Sequence, residues 1–189
     1  MSNVLGIDPS SKKLALCLTG VTHDKIFTLT TISLPVGALQ AAGVAYREAF
    51  SFFNRHREGL HVYMEAPVVG VNMGSTIIQA QVGGAVMAAA QNAGVHLHLV
   101  NNMTWKKRVL GKGNAKKPEV AELLRGIWPE AYAASSGDQD LIDACAINRY
   151  GVKNRRLAKA ILTRSSSARK AEDQKDGRKN TVRRSPRPR

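Results

Sequence analysis

Four acidic side chains occupy positions from which they could act on one substrate. Asp8 ends the apolar run VLGID, and Glu65 ends a second run, HVYME. Asp140 and Asp143 are three residues apart, so on a helix both carboxylates project from one face near its positive N-terminal end. Carboxylates gathered without bases repel each other and require cations. Oxygen ligands suit Mg²⁺ or Mn²⁺, and two such ions can activate a water and stabilise the leaving oxygen in phosphodiester cleavage.

Each acid taken alone also has a structural explanation. Asp140 and Asp143 could simply complement a helix dipole, and Asp8 could be a turn residue before Pro9. Asp138 lies outside the D-x-x-D pair and is interpreted as a helix N-terminal capping acid, although a slip in register would exchange its role with that of Asp140. The combination of the four acids is harder to explain in structural terms.

Hydrophobic periodicity predicts the elements that must bring these acids together. The predicted strands are 3–8, 13–21, 25–34, 61–67 and 95–100, and the predicted helices are 38–57, 75–93, 103–110, 117–128 and 138–150. The first three strands are joined by tight turns, and strands and helices then alternate. This order predicts an α/β fold with a mixed five-stranded sheet flanked by helices. The ends of strands one and four can then be adjacent, and a helix crossing that edge could deliver the remaining two carboxylates.

Charge is distributed unevenly along the chain. The formal net charge is +14, of which residues 153–189 carry +11 and residues 1–152 only +3. We therefore expect a folded domain over 1–152 and a basic, largely disordered tail over 153–189. The tail would bind a nucleic acid rather than an anionic membrane, because no amphipathic apolar face accompanies the charge. The alternative is a solvated tail that only aids solubility.

The sequence also indicates a compartment. Its longest apolar stretch is too short to span a membrane, and its first residues lack the pattern of a secretory signal. Cys17 and Cys145 lie in apolar patterns, as expected for buried, reduced thiols. We expect a cytoplasmic protein with no membrane partner.

Four motifs together resemble the RuvC family of Holliday-junction resolvases, in the RNase H-like nuclease superfamily. They are GIDPSS with Asp8, the strand that ends at Glu65, the segment KKRVLGKGNAKKPEV at 106–120, and the D-x-x-D of QDLIDACAI. The resemblance covers roughly residues 3–152. Each motif alone is weak, since G-I-D-x-[GS]-[ST] also opens sugar-kinase and actin-like ATPases. Four motifs in order, at suitable separations, are fairly specific.

The resemblance implies an RNase H-like fold and an endonuclease that nicks four-way DNA junctions in recombination or repair. It implies metal ligation and water activation by the carboxylates matching Asp8, Glu65, Asp140 and Asp143. The implied cofactor is Mg²⁺, two ions per site, with Mn²⁺ as a substitute. Symmetric resolution requires two nicks, which a twofold homodimer would supply, and the Gly/Ala/Met-rich helix 75–93 is the predicted contact surface.

Basic residues accompany the acids. By the same resemblance, Lys106 and Lys117 match basic residues near the scissile phosphate, where an ammonium can neutralise charge growing on the phosphoryl oxygens. The alternative is a surface that only tracks DNA phosphates. We expect a catalytic role for Lys117 and a DNA-binding role for Lys106. Further DNA contacts are expected from Lys107, Arg108, Lys112 and Lys116.

The sequence departs from the family pattern after the strand-four acid. Family members often carry an aromatic there that wedges into the opened junction, whereas this chain has Val68. Met73 could substitute as an apolar wedge that contacts DNA, although a Met that is merely buried or exposed is the alternative. The long basic tail could broaden the substrates to forks, flaps and other branched DNA.

Three other functions share some of these sequence features. An ATPase of the kinase or actin type needs a second lobe, and GKGNAKK lacks the P-loop pattern, so no nucleotide cofactor is expected. A non-catalytic DNA binder would have no reason to keep four carboxylates where phosphates approach. A less selective RNase H-like nuclease, acting on branched DNA or RNA–DNA hybrids, stays open. Trp105 is predicted to anchor a helix to the core, with base stacking as the alternative.

Overall fold

The structure is a computed structural model that describes residues 2–22, 25–67 and 73–182, with side chains described as far as residue 163. Within these residues the strands are β1 Asn3–Pro9, β2 Lys13–Gly20, β3 Ile26–Ser33, β4 Leu60–Glu65 and β5 His96–Val100. The helices are α1 Ala38–His56, α2 Met73–Asn92, α3 Asn102–Leu110, α4 Lys117–Ile127, α5 Pro129–Ala134 and α6 Gln139–Val182.

The strands form one mixed sheet in the order β3-β2-β1-β4-β5. The first three pair as an antiparallel meander, and β4 and β5 then extend the sheet in parallel from β1. This confirms the predicted mixed five-stranded sheet flanked by helices. β1 lies at the centre, with an antiparallel neighbour on one side and a parallel neighbour on the other.

Side-chain alternation along the strands creates a core on each face of the sheet. Leu5 and Ile7 of β1 pack with the buried side chains of α1 and α2. Val4 points the other way, into a core that contains Trp105 of α3 and Ile147 of α6. Helices α1 and α2 therefore cover one face of the sheet, and α3, α4 and α6 cover the other face, on which Asp8 lies.

One short helix was not predicted. α5 follows Trp128 directly and has Pro129 in its first turn. Proline is favoured there because its missing N–H needs no partner and its φ angle already suits a helix. A segment of six residues is too short for periodicity to reveal it.

The chain divides into two compact units, with the boundary after Val152. In the second unit the backbone is helical from residue 153 to Val182, whereas the polar composition predicted disorder. Ala, Arg, Lys, Glu and Gln are all good helix formers, so local propensity favours a helix even without an apolar face. Residues 183–189 lie outside the described residues. Within the described residues, no helix combines the length and apolar character needed to cross a membrane.

Candidate active site

Two neighbouring strands carry an acid at their carboxyl ends: Asp8 is the last residue but one of β1, and Glu65 is the last residue of β4. In the parallel pair, Ile7 is aligned with Met64, so the next residue on each strand is the acid. Glu65 is buried and Asp8 is partly buried. Because side chains alternate along a strand, both acids point to the face covered by α6. The predicted adjacency of these strand ends is confirmed.

The start of α6 brings Asp140 and Asp143 to the same face. Asp138 caps the helix, since its Oδ1 accepts hydrogen bonds from the backbone N–H groups of Asp140 at 2.9 Å and Leu141 at 3.3 Å. The interpretation of Asp138 as a capping acid is confirmed. Asp140 and Asp143 then lie in the first helical turns, where the dipole favours negative charge.

A missing side chain at Gly6 allows α6 to approach the central strand closely. A Cβ atom at Gly6 would lie 2.3 Å from the backbone carbonyl oxygen of Ala144 and 2.4 Å from the backbone nitrogen of Asn148. Such distances are far below van der Waals contact, so only glycine fits. Gly6 is two residues before Asp8, and Ala144 directly follows Asp143, so this contact sets the approach of the helical acids to the strand acids.

The acids share one electrostatic environment. Burial raises the pKa of Asp8 well above its ordinary value, and the carboxylates of Glu65, Asp143 and Asp140 raise it further, while Lys117 opposes them. Burial is also the main reason that the pKa of Asp143 is raised to about 6, and Glu65 contributes to that rise. Glu65, Asp140 and Asp143 are therefore all within electrostatic reach of Asp8.

Glu65 is held in place by two side chains of α3. Asn102 Nδ2 donates to one carboxylate oxygen at 2.7 Å, and Trp105 Nε1 donates to the other at 2.8 Å. Trp105 is fully buried, which confirms the predicted core anchor and excludes base stacking. Sequence reasoning missed the hydrogen bond to Glu65, because nothing in the local pattern joins residues 40 positions apart.

Two more side chains hold the helical acids. Lys13 Nζ lies 2.7 Å from Asp138 Oδ2 and 3.2 Å from Asp140 Oδ2. Gln139 Nε2 donates a hydrogen bond of 3.0 Å to Asp143 Oδ1. Neither contact was predicted. Lys13 is 125 residues from Asp138, and only the fold brings the two together.

Among the described side chains of residues 2–22, 25–67 and 73–163, no group of three or more His, Cys, Asp or Glu residues has the arrangement of a metal site. Instead, Asp140 forms an ion pair with Lys13, and Asp143 accepts a hydrogen bond from Gln139. The donor set nevertheless fits a hard divalent cation: it consists of carboxylate oxygens whose mutual repulsion such a cation would relieve. The assignment of Asp8, Glu65, Asp140 and Asp143 as metal ligands stays a prediction.

Lys106 and Lys117 lie on the same side as the acids. Both ammonium groups oppose the rise in the pKa of Asp143, and Lys117 also opposes the rise in the pKa of Asp8. Lys106 is partly buried, and its ammonium donates to the Ala115 carbonyl oxygen at 3.0 Å. Lys117 is exposed at the first residue of α4. Its ammonium is therefore accessible from solvent beside the acid cluster.

The other predicted DNA contacts lie on the surface. Lys112 is exposed but forms an ion pair with Glu119. Met73, the first residue of α2, is 75% exposed, which is compatible with an apolar wedge. Val68 lies outside the described residues. The remaining exposed basic residues of this region are Lys107, Arg108 and Lys116.

Comparison with known proteins identifies the family. The model of the family described as crossover junction endodeoxyribonuclease RuvC matches residues 4–148. The RuvC of Geobacter metallireducens is 26% identical over 163 residues, which cover 80% of this chain and 95% of that protein. The RuvC of Chlorobium phaeobacteroides is 32% identical over 128 residues, 64% of this chain and 66% of that protein.

Solved structures agree with this assignment. RuvC of Thermus thermophilus, in complex with a Holliday junction substrate, matches with a TM-score of 0.70 and 26% identity, covering 84% of this chain and 97% of that one. The yeast mitochondrial Holliday junction resolvase Ydc2, at 16% identity and a TM-score of 0.54 over 80% of this chain and 78% of that one, shares the fold. The chain belongs to the RuvC family of crossover junction endodeoxyribonucleases, which are metal-dependent nucleases with an RNase H-like fold.

Proposed function

We propose that this chain resolves four-way DNA junctions by hydrolysing phosphodiester bonds at the cluster of Asp8, Glu65, Asp140 and Asp143. The observation that carries the proposal is the mutual repulsion of these acids, which come from three separate elements and raise the pKa of Asp8 together. Such repulsion costs stability, so a purely structural role does not account for it. Family membership, and a relative solved with a Holliday junction, support the choice of substrate.

The four carboxylates would hold Mg²⁺, two ions per site, with Mn²⁺ as a substitute. When bound, these ions would supply an activated water and neutralise charge on the leaving oxygen. Asn102 and Trp105 orient Glu65 for ligation, because they fix both of its oxygens from the α3 side. Asp140 would exchange Lys13 for the cation, and Asp143 would ligate in its ionised form.

Lys117 would stabilise the developing charge on the phosphoryl oxygens, since it is exposed and lies within electrostatic reach of Asp8 and Asp143. Lys106 would bind DNA from a position fixed by the Ala115 carbonyl group. The junction arms would then follow the exposed basic surface, with Met73 contacting the opened bases. The surface residues assigned to DNA binding are Lys107, Arg108, Lys112 and Lys116.

A twofold homodimer would provide the paired nicks, with α2 as its contact. One side of α2 is buried in the core through residues such as Val82 and Val86, while Ile77 and Met87 remain exposed on the protomer. Exposed apolar side chains on a helix that already packs tightly on one side are suited to a second copy. We also place the protein in the cytoplasm, because its two cysteines are free, buried thiols.

A nicking assay in Mg²⁺ or EDTA tests this function on four-way, forked, duplex and RNA–DNA hybrid substrates of matched sequence. We expect paired nicks in the four-way junction in Mg²⁺ and none in EDTA. Asp143→Asn should abolish nicking and leave junction binding intact or tighter, while the exposed Glu130→Gln should behave as wild type. Preferential cutting of the hybrid would instead favour a general RNase H-like nuclease.

A pair of neighbouring lysines tests the role of Lys117. Lys116 and Lys117 are both exposed, so replacing either by Met removes the same charge. We expect Lys117→Met to slow single-turnover cleavage of bound junction by at least about tenfold. Lys116→Met should weaken binding without that loss of rate. Equal effects of the two substitutions would assign Lys117 to phosphate tracking alone.

A further inference from the structure

We propose that Asn148 of α6 is a positioning residue that fixes the place of Asp143 relative to Asp8. This inference rests on the proposed function, because it concerns the same four acids. Asn148 is fully buried, and its amide bonds three groups on two strands. Nδ2 donates to the carbonyl oxygens of Val4 at 2.8 Å and Cys17 at 2.9 Å, and Oδ1 accepts from Thr19 Oγ1 at 3.0 Å.

The surroundings of Asn148 are otherwise apolar. Ala144, Cys145 and Ile147 of the same helix are all fully buried against the sheet. Burying an amide among such residues is costly unless its donors and acceptor are satisfied, as they are here. An aliphatic side chain would avoid this cost, so what the amide contributes is its hydrogen bonds to the two strands. Hydrogen bonds are directional, and a shift of α6 by one residue, about 1.5 Å along its axis, would break all three.

Two contacts together fix the helix on the central strand. The first is the bond from Asn148 to Val4, and the second is the backbone contact of Ala144 with Gly6. Both join the same strand to the same helix, so together they restrict sliding and rotation of α6. The acids lie just beyond the second contact, with Asp8 two residues past Gly6 and Asp143 one residue before Ala144.

This position makes Asn148 part of the support of the acid cluster. It touches none of the four carboxylates and lies five residues beyond Asp143 on the helix. Ligand oxygens must be held within about 0.5 Å of their productive positions, so a small shift of α6 would weaken the affinity for cations. Losses of 10- to 100-fold are typical when a group supporting a metal ligand is removed.

The test compares Asn148→Leu with Phe53→Leu. Leucine has the same number and branching of side-chain heavy atoms as asparagine, with bulkier methyl groups, and forms none of its hydrogen bonds. Phe53 of α1 is almost as buried but lies in the core on the opposite face of the sheet, so its substitution lowers stability without touching α6. Three quantities are measured for each variant. The Mg²⁺ concentration that gives half-maximal cleavage and the junction affinity in EDTA are measured well below the melting temperatures of all variants. The third quantity is the rise in melting temperature that Mg²⁺ causes in the absence of DNA.

We expect Asn148→Leu to raise the half-maximal Mg²⁺ concentration about tenfold and to reduce the Mg²⁺-induced rise in melting temperature, with junction affinity unchanged. Phe53→Leu should lower the melting temperature alone. Thr19→Val removes only one of the three bonds and should give a smaller change in the same direction, which keeps the test decisive if Asn148→Leu fails to fold.

Failure of this inference and failure of the proposed function would give different results. If Asn148→Leu and Thr19→Val match Phe53→Leu in their Mg²⁺ dependence, Asn148 is only a stabilising core residue and the inference is overturned. If the wild-type protein neither cleaves junctions nor gains stability from Mg²⁺, the proposed function itself fails.

Discussion

Replacing Asp143 by Asn should stabilise the metal-free protein at neutral pH. Burial and the Glu65 carboxylate raise the pKa of Asp143 to about 6, whereas an aspartate in an unfolded chain titrates near pH ~3.9. Between these values the folded state binds more protons than the unfolded state. The free energy of unfolding therefore falls as pH rises through this interval and levels off above about pH 6. A difference of about two units corresponds to at most about 3 kcal/mol.

Urea unfolding in EDTA between pH 4 and 7.5 measures this effect. Asn is nearly isosteric with Asp, and its side-chain oxygen can still accept the hydrogen bond from Gln139. The advantage of Asp143→Asn over wild type should be smallest near pH 4 and reach about 1–3 kcal/mol at pH 7.5. Loss of the charge at Asp143 also relieves Asp8, which acts in the same direction. Glu130→Gln, on an exposed side chain, should show no such trend.

The test depends on how the difference in unfolding free energy between wild type and Asp143→Asn changes with pH. If wild type and Asp143→Asn differ by a constant free energy at every pH, folding does not raise the pKa of Asp143. The reason for expecting a cation to relieve a destabilised charge at Asp143 would then be lost, even if cleavage were observed.

Three further predictions concern other parts of the chain. Trp105→Phe keeps an aromatic ring but loses the N–H group that donates to Glu65, so single-turnover cleavage should slow about tenfold with junction binding intact. An unchanged rate would mean that Asn102 alone orients Glu65. The hydrogen bond to Cys145 and burial raise the pKa of the Cys17 thiol, and both cysteines are buried. Neither should therefore react with a thiol reagent until the protein is denatured, and fast labelling of the native protein would contradict this. Deleting residues 164–189 removes ten basic and three acidic residues, so it should weaken junction binding and flatten its salt dependence; an unchanged slope would exclude DNA clamping by the tail.

The sheet and the meeting of the acids were predictable because they follow from short-range patterns. Alternation along VLGID and HVYME indicates strands, and two parallel strands that both end in an acid place those acids together. The spacing of Asp140 and Asp143 likewise fixes a shared helix face. In each case the relevant information lies within a few residues of the acid itself.

The groups that hold the acids were not predictable in this way. Asn102 reaches Glu65 across 37 residues, and Lys13 and Asn148 act across more than 120. An asparagine in an apolar helix or a lysine at a strand start has no local signature of its partner, because the contact exists only after the sheet and α6 have packed. Periodicity locates a carboxylate on a face, and tertiary packing decides what holds it there.

The backbones of Gly6 and α6 are in direct contact, which affects how the protein unfolds locally. No layer of side chains separates the two backbones at this point, so the central strand and the first turns of α6 cannot part gradually. We expect them to open as one cooperative unit, and the slowest-exchanging amide hydrogens should include those of Ile7 and Ala144. The end of the sheet that carries the four acids would then belong to the last structure to unfold, unlike the mobile loops on which many enzymes place their chemistry.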